Sequence, residues 1–281
     1  MKKFKIKSYC KINLSLRVLK KLKNGYHSIA SLITFCDLYD IISISKTNGS
    51  KDKINFSGPF KSGIDVKLNT ITKMFDLIRK ERLIKNQFFK INVQKNIPHG
   101  SGLGGGSSNA ASLINYLNLK ISKKKKLQLA SQIGSDVPVC LKRKNTFLKN
   151  SEKKMFRFKK RFNLDLLIVY PNLICSTKKI YKNYKNKGFS RSLLCFTDKK
   201  KLFNFLKKEN NDLEDVVVKI YPRVGELIKY IKSQKGCNFS RITGSGSACI
   251  GVFSNKRNAI YAKQLINLKY PNYWCVVSKT I

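Results

Sequence analysis

What this sequence has least of is negative charge, histidine and unbroken apolar length. Only 15 Asp and Glu stand against 58 Lys and Arg, and histidine occurs twice, as His27 and His99. Eight cysteines are scattered singly at 10, 36, 140, 175, 195, 237, 249 and 275, with no CxxC pair. With so little histidine beside it, that spacing suits neither a zinc cluster nor a disulfide-stapled secreted domain, and it reads as reduced thiols of a cytoplasmic protein. The N-terminus, MKKFKIKSYCKINLSLRVLKK, opens on lysines, but no uninterrupted apolar stretch of about 7 to 15 residues follows, which argues against export. The most apolar segment, Leu164 to Cys175, contains Asp165 and Pro171 and falls short of the roughly 20 residues that span a bilayer, so no membrane partner is expected.

The charge that is present sums to +43, and a surface of that sign attracts phosphates of any kind, nucleic acid included. The lysines nevertheless run from Lys2 to Lys279, are densest at Lys123 to Lys126, and form no stripe studded with aromatics. We read the charge as a matter of solubility and steering, with no nucleic-acid partner expected. A basic nucleic-acid-binding protein with glycine linkers is the alternative class; tight, sequence-tolerant binding across a salt series would mark it.

A chain of 281 residues with 42% hydrophobic content is long enough for two folded domains. Alternation in Phe89, Ile91 and Val93 predicts a half-buried strand, ended by Asn96-Ile97-Pro98. A helix follows with Ala110, Ala111, Leu113, Ile114 and Leu117 at helical spacing, capped by Ser107 or Ser108. Upstream, Ile42, Ile44 and the Ile54, Phe56 pair predict strands, and Ile71, Met74, Phe75 and Ile78 a helix capped near Asn69 or Thr70. A short helix through Leu127 and Leu129 stops at Gly134, which leaves Asp136, just ahead of Val137-Pro138, on a turn. After about residue 160 the order is a strand at 166–170, helices in 198–209 and 222–235, strands near 239–243 and 248–253, a helix near 256–267 and a strand at 274–278. That is β-α-β-β-α-β, the split βαβ order, with one helix extra.

Between the predicted strand and helix lies GSGLGGGSS, from Gly100 to Ser108. Gly100, Gly102 and Gly105 satisfy GxGxxG, a pattern with several meanings. A dinucleotide fold needs an acidic residue about 20 positions on, where this chain reads ISKKKK. A P-loop needs Lys then Ser or Thr after its last glycine, whereas Gly105 is followed by Gly106 and Ser107. A protein kinase needs HRD and DFG, and neither string occurs. What remains is physical: glycines let backbone N–H groups approach a ligand, and the helix adds its positive end, so phosphate is the natural guest. A purely structural turn is the competing reading, but a run this rich in glycine and serine at a helix start exceeds what a turn needs.

On CKINLSL (10–16), NGYH (24–27), IPHGSGLGGGSSNAA (97–111) and GSDVP (134–138) the chain resembles the GHMP kinases, with weaker likeness in Ser176-Thr177 to Tyr181, NDLE (211–214) and RITGSGS (241–247). Cys10, Asn24, His99 and Ser101 depart mildly from the family pattern. The resemblance implies a two-domain α+β architecture: an N-terminal half like ribosomal protein S5 domain 2 over 1–155, and a ferredoxin-like half over 156–281. It also implies a kinase using ATP, with Mg²⁺ expected, that phosphorylates a small alcohol in the cleft between the halves.

By the same resemblance Asp136 is the general base and Lys11 lies beside it, stabilising the ionised carboxylate and the transferring phosphoryl group. Without the family, Asp136 reads equally as a turn former through its side chain, and Lys11 as one lysine among many. The ATP loop comprises Pro98, His99, Gly100, Ser101, Gly102, Leu103, Gly104, Gly105, Gly106, Ser107 and Ser108, with Ser108 the candidate hydroxyl for Mg²⁺. Tyr26 and His27 are implied for a cytosine base, Tyr181 for its other face, and Asn13 for the polyol end of a cytidine diphosphate-linked methylerythritol. Thr243 to Ser247 looks like the family's C-terminal loop.

Overall fold

The computed structural model describes residues 2–22, 25, 27–149, 155–185 and 199–281; Asn24, Tyr26 and Cys195 lie outside them. Two compact units emerge, each assembled from separated stretches: residues 1–11, 38–99 and 104–143 form unit 1, and 12–37, 100–103 and 144–281 form unit 2. Two long paired strands, β1 (Phe4–Lys21) and β2 (His27–Thr47), contribute to both.

β1 differs from a half-buried strand in being covered on both sides from Cys10 to Leu16. Ile12, Leu14 and Leu16 point one way, as their alternation predicts, while Lys11, Asn13 and Ser15 point the other and are each 2% exposed. Buried polar groups need partners, and each of these has one. Lys11 pairs with Asp136, Asn13 Nδ2 donates to Ser31 Oγ at 2.7 Å, and Ser15 Oγ accepts from Leu32 N at 3.3 Å.

In unit 1, β3 (Lys53–Ser57), α1 (Thr70–Lys80) and β4 (Phe88–Gln94) form a crossover in which β3 and β4 run parallel. β4 then pairs antiparallel with the second half of β2, setting Ile42 opposite Val93 and Ile44 opposite Ile91. α1 starts where the sequence predicts: Asn69 is its N-cap and accepts from Ile71 N and Thr72 N, while Ile71, Met74, Phe75 and Ile78 are buried. α2 (Gly105–Tyr116), α3 (Lys123–Ile133) and α4 (Val137–Cys140) complete the unit. α3 ends at Gly134 as expected, but Val137-Pro138 opens a new turn of helix, since proline is well suited to a first helical turn.

In unit 2, β5 (Thr146–Lys149) pairs with the first half of β2 and β6 (Met155–Arg157) with β5. β7 (Asp165–Tyr170) is followed by α5 (Thr177–Asn183), α6 (Lys199–Lys208), α7 (Glu214–Ile220) and α8 (Pro222–Ser233), then β8 (Cys237–Ile242), β9 (Cys249–Phe253), α9 (Lys256–Lys269) and β10 (Trp274–Lys279). The sheet order β10-β7-β9-β8, antiparallel throughout, is the split βαβ arrangement that the element order predicts. Leu227 and Ile231 of α8 and Ala259, Ala262 and Ile266 of α9 close its core with Leu167, Val169 and Phe253. α5 and α7, of seven residues each, go beyond the one extra helix expected; they are too short to show periodicity. The last residues are stitched inward: Thr280 and Leu164 exchange hydrogen bonds at 2.9 and 3.0 Å, Ile281 N donates to Phe35 O at 3.0 Å, and Lys279 N to Asp37 Oδ1 at 2.9 Å.

Candidate active site

Unit 1 brings Lys11 and Asp136 together across 125 residues of sequence, Lys11 Nζ lying 2.9 Å from Asp136 Oδ2. The lysine side chain is 3% exposed and the carboxylate 33%, so the cation is enclosed while the acid still faces solvent. Asp136 sits at the N-terminus of α4 yet makes no capping hydrogen bond there, which removes the reading of its side chain as a turn former.

The glycine loop meets this pair at Gly104, whose φ is +65°. A Cβ placed there would stand 2.8 Å from Lys11 Cε and 3.9 Å from Asp136 Oδ2. Gly104 is therefore required twice, by its left-handed backbone and by its contact with the ion pair. Replacing Gly104 by alanine is expected to lower kcat on the order of tenfold by displacing Lys11, read as ADP release at saturating substrates.

Gly104 is also the N-cap of α2, where no side chain makes a capping bond. The helix starts at Gly105, earlier than predicted, so Ser107 and Ser108 lie inside its first turn and cannot cap it. Ser108 N donates to Gly104 O at 2.9 Å, while the N–H groups ahead of it have no acceptor within the helix and meet no acidic side chain in the first turn, an arrangement suited to an anion. Thr70 Oγ1 donates to Gly106 O at 2.8 Å and holds this turn against the start of α1.

Along the loop, Pro98, Ser101, Leu103, Gly105 and Ser108 are buried, whereas Gly100, Gly102, Gly104, Gly106 and Ser107 are at least partly exposed. The His99 ring bonds Ser62 O at 2.7 Å and lies against Gly63. Ser108 Oγ is directed to Cys140 Sγ at 3.4 Å, and among the described residues no group of three His, Cys, Asp or Glu side chains is placed to hold a metal.

One cluster was not anticipated. Asp40, fully buried, accepts from Asn96 N at 2.8 Å, Ile97 N at 2.9 Å and Asn109 Nδ2 at 3.0 Å, and pairs with Lys95. It ties the entry to the loop to α2, whose Gly105 packs against Ile97 and Lys95.

In unit 2, residues 100–103 rest on the loop after β8. A Cβ on Gly102 would stand only 2.1 Å from Thr243 O, Ala248 N donates to Ser101 O at 3.0 Å, and Asn13 N donates to Thr243 Oγ1 at 2.9 Å. The Thr243 to Ser247 hairpin thus touches the glycine loop itself. His27 and Tyr181 also meet, their rings stacked at 4.9 Å between centroids and 27° between planes. Burial, with Lys21 nearby, holds the His27 ring below the usual histidine range. Tyr26 lies outside the described residues.

The sequence matches the family described as "GHMP kinases N terminal domain" over residues 69–144 and "GHMP kinases C terminal" over 198–270. It is 40% identical to the 4-diphosphocytidyl-2-C-methyl-D-erythritol kinase of Pelagibacter ubique, with 100% of both chains covered. It is 36% identical to the protein of that name from Caldanaerobacter subterraneus subsp. tengcongensis, over 99% of this chain and 97% of the other. Among solved structures, a 4-(cytidine 5'-diphospho)-2C-methyl-D-erythritol kinase superposes with a TM-score of 0.79 at 22% identity, covering 98% of this chain and 99% of that one. The homoserine kinase of Cytophaga hutchinsonii follows at 0.72 and 15%, over 100% and 95%.

Proposed function

The chain belongs to the GHMP kinases, and within them to the 4-diphosphocytidyl-2-C-methyl-D-erythritol kinases, and on that premise we propose how its own residues carry the reaction. The enzyme transfers the γ-phosphoryl group of ATP to the C2 hydroxyl of 4-diphosphocytidyl-2-C-methyl-D-erythritol, giving the 2-phosphate and ADP in the non-mevalonate route to isoprenoids. The observation that carries the assignment of roles is the Lys11–Asp136 pair seated against Gly104.

Asp136, as general base, takes the proton of the acceptor hydroxyl; the freed oxygen attacks the γ-phosphorus as the bond to the ADP oxygen breaks. Lys11 holds the carboxylate in place and sets its positive charge against the negative charge that develops on the transferring group. The first-turn N–H groups of α2 bind ATP phosphate oxygens. Mg²⁺, carried in on ATP as part of the substrate, would supply positive charge at those oxygens. The Ser108 hydroxyl, directed to Cys140, would have to turn from it to reach such an ion.

Tyr26, His27 and Tyr181 recognise cytosine. At 4.9 Å the His27 and Tyr181 rings leave no room for a third between them, so a base that stacks on Tyr181 takes the place of this contact. Neutral His27 offers one donor and one acceptor to the cytosine edge, and its protonation removes the acceptor. The folded chain favours the neutral ring, so acidification works against the site. As pH falls below 6.5, the ordinary histidine value, KM for the cytidyl substrate is expected to rise by up to about tenfold per unit once the ring protonates. KM for ATP should not follow, and His27→Gln should flatten the rise; steady-state kinetics from pH 5 to 8 reads both.

Asn13, whose amide is held by Ser31, is proposed to face the polyol end of the substrate. The functional division at 1–155 and 156–281 keeps each matched family segment within one half. A cytoplasmic location is proposed on the seven cysteines among the described residues that form no disulfide. An ADP-release assay comparing the cytidyl substrate with galactose, homoserine and mevalonate tests the assignment. Turnover of the cytidyl compound alone is expected; turnover of another alcohol in its place overturns it.

A further inference from the structure

Unit 2 contains a cavity of about 640 Å³ that shares no residue with the proposed catalytic and substrate sites. It opens at β8, the terminal strand of the four-stranded sheet, between α6 and α8. Its walls bring together Lys207 from α6, Lys229 and Lys232 from α8, and Arg241 from β8, and among the described residues no carboxylate lines it. Cations gathered in one hollow raise the local potential and draw anions into it.

Two features make this more than a basic surface. Arg241 is 4% exposed and fixed: it donates to Leu14 O at 2.9 Å and Leu206 O at 2.7 Å, and its guanidinium lies 4.2 Å from the Phe239 ring centroid. Burial pushes that guanidinium down to about 10, still charged at neutral pH. Beside it, Ser240 Oγ is buried without a hydrogen-bond partner, an arrangement that costs stability unless something else accepts from it. Lys232 is tethered to Asn238 O, while Lys207 and Lys229 are exposed and able to close on a ligand.

We propose that this cavity is a second anion site, taking the diphosphate group of a small ester through Lys207, Lys229, Lys232 and Ser240, with Arg241 as its fixed floor. Arg241 is already faced by the carboxylates of Glu214 and Glu209, so the excess positive charge is that of Lys207, Lys229 and Lys232, which a diphosphate matches; the volume exceeds the needs of a lone phosphate, leaving room for the esterified part.

The test is equilibrium dialysis of labelled inorganic pyrophosphate with the full chain at physiological salt, comparing wild type, Lys207→Gln/Lys229→Gln and, as a control of equal charge change, Lys123→Gln/Lys124→Gln. Wild type and control are expected to bind one equivalent that the Lys207/Lys229 variant holds at least about tenfold more weakly. All three proteins should turn over the cytidyl substrate alike, which shows that the variants are folded. Equal binding by all three proteins, equal weakening in the control, or no such equivalent in wild type overturns the proposal. A competition arm identifies the source of the diphosphate: displacement of that equivalent by ADP points to a nucleotide, and retention to an ester without a base.

Discussion

Asp136→Asn is expected to lower kcat by about 10² to 10⁴ while leaving the affinity for ATP close to that of the parent. Asparagine is nearly isosteric, so the Lys11 contact at 2.9 Å and the turn into α4 remain available to it, but its amide cannot accept the proton of an incoming hydroxyl. The nucleotide site proposed above, the first turn of α2, depends for its geometry on Gly104 and Thr70 and not on the charge of Asp136. Single-turnover kinetics at saturating ATP, with nucleotide affinity measured by fluorescence titration, separates the two effects. A variant that keeps full turnover would remove Asp136 as the base; one that loses nucleotide binding in proportion to activity would make it a structural residue.

Asp40→Ala is expected to destabilise the protein by about 3 to 5 kcal/mol, because it leaves Lys95 as an uncompensated buried cation. Lys95 is 2% exposed, and the same change strips acceptors from the backbone N–H groups of Asn96 and Ile97 and from the Asn109 amide. For a chain of this size the loss corresponds to a fall in Tm of roughly 6 to 20 °C. Since Asp40 anchors both the entry to the glycine loop and α2, KM for ATP should rise in any molecules that remain folded. Denaturant melts of wild type and variant decide the first point, and a difference below about 1 kcal/mol would show that the cluster relaxes or admits water.

The contrast between these two aspartates shows what the sequence made legible. Asp136 was visible because it lies in GSDVP and Lys11 in CKINLSL, short strings that carry a family resemblance. Their pairing across the chain was implied by that resemblance and not by spacing. Asp40 had no such marker: it follows a tyrosine at the edge of the Ile42, Ile44 alternation, and its partner lies 55 residues away at the end of another strand. A buried acid in a strand can be suspected from sequence, but its four donors exist only once β2, β4 and α2 are assembled. The start of α2 was misplaced for a related reason. Serine is a strong capping residue, so Ser107 or Ser108 was the expected boundary, yet the helix begins on glycines and leaves its end open. The strands and helices of unit 2 were readable from periodicity where they are long. α5 and α7 were not, and the resemblance placed a base between His27 and Tyr181 where the two rings stack directly on each other.

The inward stitching of residues 279–281 has a consequence for biosynthesis. Unit 2 includes residues 12–37 near the beginning of the chain and 144–281 at its other extreme, and Phe35 and Asp37 receive backbone donors from Ile281 and Lys279. A ribosome delivers those ends many seconds apart at its usual pace. The early half of β2, rich in apolar side chains, therefore waits for these bonds until residues 279–281 have left the exit tunnel. Nascent chains stalled before residue 278 are expected to be cut by protease within 27–37, and released chains that include residues 279–281 to be resistant there; equal resistance in both would show that this strand is protected before those residues emerge.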